Sequence, residues 1–171
     1  MKKRIAVLAS LVYLTCLVQS TISGAIEIMQ ISPNFLIVTA VSVALCRSDM
    51  ESAFMGLFFG LGMDILVGRT LGWYAMCLFL VCLCIGLVND KLYKDNPLIP
   101  MFFAFFSSMT VELMYYFINS FLKGYRDILF VMTNLILPES IYNAVLSLLV
   151  YPLVVKIYKR LDKHDYIHAR L

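Results

Sequence analysis

The sequence predicts an all-α integral membrane protein, a bundle of six transmembrane helices with both termini in the cytoplasm. Composition is the first observation behind this. Of 171 residues, 61% are hydrophobic and 15% charged, against about 45–50% and about 25% in soluble domains. Spacing is the second. The charges fall in clusters, separated by apolar stretches close to the roughly 20 helical residues that cross a hydrocarbon core of about 30 Å. Charge bias is the third. With the N-terminus inside, eleven Lys and Arg face the cytoplasm (Lys2, Lys3, Arg4, Arg47, Lys91, Lys94, Lys156, Lys159, Arg160, Lys163 and Arg170), and three (Arg69, Lys123, Arg126) lie outside. Such a bias is the positive-inside pattern.

In chain order, the first span is expected over residues 5–26, behind Lys2-Lys3-Arg4, and is read as retained rather than as a cleaved leader. Thr15, Gln19 and Ser23 step by four, a polar stripe suited to bonds across helices. The second span is expected over 33–46, with Ser32 as N-cap and Pro33 at the first helical position. The third covers 52–67 and carries the most regular pattern in the chain. Gly56, Gly60, Asp64, Gly68 and Gly72 recur every four residues, so a bare stripe admits a neighbouring helix backbone to backbone. Asp64 within it either serves a function or reaches the headgroups from a helix end. The fourth span, 71–89, opens with Trp73 and Tyr74, which read as an interfacial belt.

The fifth span is expected over 100–122. Ser108, Glu112, Tyr115 or Tyr116, and Asn119 share one face, and Glu112 sits near mid-span, where a carboxylate is most costly. Ile128 to Val155 is longer than one crossing needs. Pro138 divides it, so 128–137 reads as interfacial or re-entrant and the sixth span as 138–156. Glu139 falls in the favourable first turn of that helix, and Glu139, Asn143 and Ser147 again step by four. Residues 1–161 form one membrane domain, followed by a cytoplasmic tail, 162–171. The three acids are expected to pair with the outer cations or with polar groups of a partner.

Several functions find no residues to carry them. The chain has no phosphate loop, no zinc-protease spacing and no Ser-His-Asp set that could share a compartment. His164 and His168 lie four apart without a third ligand. The five cysteines read as apolar packing. The basic residues of the tail adjoin a span and suit anionic lipid rather than nucleic acid. No enzyme activity, cofactor or metal is expected.

The residues also resemble a known family. Lys2 to Val18 with Gln19-Ser20-Thr21, Pro33-Asn34-Phe35-Leu36 with Arg47, Gly56 to Gly60 through Asp64-Ile65-Leu66 to Leu71-Gly72, and Pro138 to Asn143 with Tyr151-Pro152-Leu153 are similar to successive spans of the MreD family. Asn34 stands where many members are expected to carry an acid. The resemblance implies a non-enzymatic scaffold of bacterial cell-wall elongation in the inner (cytoplasmic) membrane, required for rod cell shape. Its implied partners are the bitopic MreC, the actin-like MreB and the RodA–penicillin-binding-protein synthase. Helix packing or partner binding is expected at Gln19, Gly56, Gly60, Asp64, Gly68, Gly72, Glu112, Asn119, Pro138, Glu139 and Asn143. The family is also similar in overall fold to the substrate-binding components of energy-coupling-factor vitamin transporters. That gives the alternative, a small-molecule pocket lined by Asp64, Trp73, Glu112, Glu139 and Asn143.

Overall fold

The computed structural model describes residues 2–27, 31–47, 49–67, 71–89, 96–123 and 128–168; the side chains of 2–5, 49, 119, 121–123 and 162–168 are not described. Six main helices make up the bundle: α1 (Lys2–Ile22), α2 (Phe35–Ala44), α3 (Asp49–Val67), α4 (Trp73–Asn89), α5 (Leu98–Lys123) and, after the single turn α6 (Ile128–Val131), α7 (Leu137–His168). Among the described residues, four stretches are long and apolar enough to cross a membrane, Ala6–Ile26, Met50–Val67, Leu98–Ile118 and Ile128–Leu161. The helices α2 and α4 are shorter.

The bundle is built around α2. Its ten residues carry apolar side chains on every face, and nine of them are buried. A helix hydrophobic all round belongs in a core, and α2 is packed by α3, α4, α5, α7 and α1. At 1.5 Å per residue α2 is about 15 Å long, half a bilayer core. The helix starts two residues later than the sequence reading placed it. Asn34, not Ser32, is the N-cap, because its Oδ1 accepts from the Ile37 N–H at 3.2 Å.

The most extensive packing joins α3 to α4, and the glycine stripe is its cause. A Cβ on Gly56 would come 2.7 Å from the Cys82 Cβ, and one on Gly60 would come 2.6 Å from the Tyr74 carbonyl oxygen. The α3 stretch is half buried, more than any of the other three long stretches, whereas only 6% of the α1 stretch is buried. α1 therefore lies on the outside of the bundle.

The sequence reading separated 128–137 from the last span at Pro138. In the structure the helical path is continuous from Ile128 to Leu161. The reason is a π-helical stretch, Met132–Ile136, in which the Leu137 N–H reaches back to the Met132 carbonyl. Proline clashes with the carbonyl four residues earlier; a π turn, widened to i→i+5, shifts that carbonyl out of register. The Asn134 Nδ2 and Thr133 Oγ1 bond the Phe130 and Leu129 carbonyls, supplying partners to backbone that the irregular turn loosens. At its far end α7 runs on to His168, into the segment expected to be a tail.

Replacing Gly60 with alanine drives a methyl group into the α4 backbone, which cannot move aside as a side chain would. Gly60→Ala should cost about 1–3 kcal/mol of stability. Gly24→Ala, where no atom lies within 4 Å of the new Cβ, should cost far less. Thermal unfolding of both variants in the same detergent checks this.

Candidate functional site

Breaking a bundle into short helices leaves backbone N–H groups at their starts without intrahelical partners, and in a membrane water is not there to serve them. Polar side chains singled out by the sequence meet this need. At the start of α2, the Asn34 N–H donates to Asn143 Oδ1 of α7 at 2.7 Å. The Phe35 N–H donates to Gln19 Oε1 of α1 at 2.7 Å, and Gln19 Nε2 returns a bond to the Pro33 carbonyl. Asn143 Nδ2 donates to Ser108 Oγ of α5 at 3.0 Å. Three helices thus converge on the first turn of the fourth.

Asp64 does the same for α4. Its carboxylate accepts from the N–H groups of Gly72 (2.8 Å), Tyr74 (3.0 Å) and Ala75 (3.2 Å), and the residue is 2% exposed. An anion at a helix N-terminus also meets the positive end of the macrodipole. Gly72 is required here, since its φ of 104° lies in the left-handed region. Asp64 therefore neither projects to headgroups nor pairs with a cation through these bonds. Its partners are backbone amides of its own chain.

The chain of polar contacts continues inward. The Tyr74 hydroxyl faces both oxygens of Glu112, at 3.3 and 3.4 Å, and the Tyr74 ring stacks on Tyr115 with centroids 4.0 Å apart. Glu112 interacts through space with Glu139, which in turn engages the side chains of Asn34 and Asn143. The hydrogen bonds form two sets, one running from Gln19 through the start of α2 to Asn143 and Ser108, the other from Gly72 and Asp64 through Tyr74 to Glu112, with Glu139 close to both. Gly56 and Gly60 lie apart from these in the α3–α4 seam, and Pro138 sits in the first turn of α7, just after the π turn. Gly68, Arg69, Arg126 and the loop 90–95 fall outside the described residues, as do the side chains of Asn119, Lys123, His164 and His168. The sequence reading placed Ser108 on the polar face of the fifth span without a partner, and it missed the capping role of Asn34 and the buried hydroxyl of Tyr74. It also missed Tyr142, whose hydroxyl donates to the Ile26 carbonyl at 2.7 Å. Tyr74 beside Trp73 looked like a belt residue, yet the glycine repeat placed its neighbours against α3.

A second feature is a groove of about 560 Å³ between α1 and α3. Leu8, Val12 and Cys16 form one wall; Phe54, Phe58, Leu61 and Ile65 form the other. Phe54, Phe58, Ile65 and Tyr13 are each more than half exposed, so the groove opens laterally. Gly62 forms its narrow end, where a Cβ would lie 2.8 Å from Cys16 Sγ. Among the described residues, no group of three or more His, Cys, Asp or Glu side chains could hold a metal ion.

Removing the cap on α4 leaves three amides without partners. Asp64→Ala should lower stability by about 2 kcal/mol, and Asp64→Asn, which keeps one acceptor oxygen, by less. If the carboxylate mattered only to an outside partner, both variants would unfold at the wild-type temperature in detergent.

A model of one protein family, described as rod shape-determining protein MreD, matches residues 1–161. Neither the curated proteins nor the solved structures contain a match to this chain. The family match covers the helices described above, α7 as far as residue 161, on a chain whose four long apolar stretches are those of a membrane protein. The chain belongs to the MreD family, membrane proteins of rod-shape determination.

Proposed function

We propose that the protein is a multi-pass scaffold of the bacterial inner membrane that binds the single transmembrane helix of MreC and links it to MreB and the RodA–penicillin-binding-protein synthase. The observation that carries this reading is the lateral groove between α1 and α3. Its walls are apolar, as a surface facing lipid or another helix must be, and it is open along one side. A transmembrane partner helix gains dispersion contact and shape fit there rather than hydrophobic transfer, because lipid tails are as apolar as the groove. The polar network supports the same reading in a different way. Its members spend their bonding capacity within the chain, Asp64 on α4 and Gln19 with Asn143 on α2, so they brace the walls of the groove. Glu112, Glu139 and Asn119 act in this scheme as packing residues of the bundle. Both termini lie in the cytoplasm, following the Lys and Arg bias.

The test fills the groove without touching the bundle. Ala9 lines the groove from α1 and is exposed, so Ala9→Trp places an indole in the partner's seat. The variant should fold as wild type, lose co-purification of MreC by about tenfold, a cost of about 1.4 kcal/mol, and fail to restore rod shape in cells lacking the protein. Leu87→Trp, exposed on α4 outside the groove, should do neither. Wild-type capture and rod shape with Ala9→Trp would remove the groove from the mechanism.

A further inference from the structure

α1 is the least buried of the four long stretches, and its polar ties to the rest of the chain are gathered at one end. Gln19 exchanges two bonds with the start of α2, accepting from the Phe35 N–H at 2.7 Å and donating to the Pro33 carbonyl at 3.3 Å. The Ile26 carbonyl accepts from the Tyr142 hydroxyl of α7 at 2.7 Å. Ile26 closes the 3-10 turn Ser23–Ile26, in which Gly24 has no atom within 4 Å of the place its Cβ would take. One turn before Gln19, Cys16 makes the close approach to Gly62.

The other half of the helix is held differently. Over residues 6–16, Ser10 and Thr15 bond the Ala6 and Leu11 carbonyls of α1 itself. Among the described residues, this half joins the bundle through apolar contact, made by Leu8, Leu11, Val12 and Cys16. In a membrane, trading such contact for lipid tails costs only dispersion and fit, whereas parting Gln19 from α2 strands a backbone amide. The soft motion of α1 is therefore a swing about its Gln19–Ile26 end.

The groove lies along the loosely held half, from Leu8 to Cys16, and stops where the helix is pinned. Its α3 wall from Phe54 to Ile65 is about 16 Å long, and a helix of that length and about 10 Å across fills about 1,300 Å³. The groove holds about 560 Å³. At this width a helix rests in the mouth, and contact with both walls requires α1 to lean out. A tilt of about 20° about Gln19 carries Leu8, about 16 Å away, through about 6 Å.

We propose that α1 is a hinged arm, pinned at Gln19 and Ile26, whose N-terminal half swings away from α3 to widen the groove. That the widened groove seats the MreC helix rests on the function proposed above; the swing itself does not.

Spin-label distances measured by pulsed electron paramagnetic resonance test this on the whole chain in lipid nanodiscs. Labels carried on unnatural amino acids leave the five cysteines in place. One pair joins Ser10 to Leu87 and the other Thr21 to Leu87. All three side chains are exposed, and Leu87 stands on α4, which is packed against α3. In the chain alone the Ser10 pair should give a distribution at least about twice as wide as the Thr21 pair. With full-length MreC reconstituted alongside, the Ser10 distance should lengthen by about 5 Å and the Thr21 distance by less than about 2 Å. Two distributions of equal width that MreC leaves unchanged, or an equal shift of both, would overturn the arm. A broad Ser10 distribution that MreC leaves unchanged keeps the arm and removes the groove as the seat. Capture lost with Ala9→Trp, while bound MreC shifts neither pair in the wild-type chain, keeps the groove and removes the arm.

Discussion

Two helix starts buried among other helices set the terms for this fold. The short α2 is wrapped on all sides, so the donors at its first turn have to be met by side chains. They are met by Asn34 itself, by Gln19 from α1 and by Asn143 from α7. The start of α4 is met by Asp64 from the preceding helix. An unsatisfied amide in a membrane interior costs several kcal/mol, so these few contacts decide which helices can lie beside which. Apolar packing, which in lipid discriminates weakly, then fills in around them.

The same constraint separates two kinds of surface on α3. One face, bare of side chains at Gly56 and Gly60, is pressed onto α4 and is sealed within the chain. The other, with Phe54, Phe58 and Ile65, stays open toward α1. A small-residue stripe therefore need not be the surface that meets a partner. Here it holds α3 in place so that the opposite face can be offered. The outer position of α1, tied through Gln19 and the Tyr142–Ile26 bond at its far end, leaves the groove beside it unfilled.

Much of this was legible in the sequence, for physical reasons that differ by residue. The long helices followed from composition and spacing, because bilayer thickness sets their length, whereas α2 covers about half of it. Steps of four singled out Gln19, Asp64 and Asn143, because a polar side chain in an apolar helix is expensive enough to have a purpose. What that purpose is was less visible. The donors that Asp64 serves lie eight to eleven residues onward, across a turn, and Asn143 serves an amide 109 residues away in the chain. Pro138 does stand at the start of α7, with Glu139 in its first turn, but the π turn that joins α7 to the helix before it is announced by nothing in the residue types. The groove could not be read at all. Residues facing lipid and residues lining a lateral groove are equally apolar, and only the placement of α1 distinguishes them.

The central claim is that the polar network braces the bundle while the partner meets the chain at the α1–α3 groove. Photocrosslinking in intact membranes tests it most directly. A photoreactive amino acid is placed at Phe54, Phe58 or Tyr13 in the groove, at Phe102 or Phe106 on the exposed face of α5, and at Tyr116 near the polar network. The account predicts crosslinks to a single-span partner from the three groove positions and none from the others. Crosslinks concentrated on α5 or at Tyr116, with the groove positions silent, would contradict it.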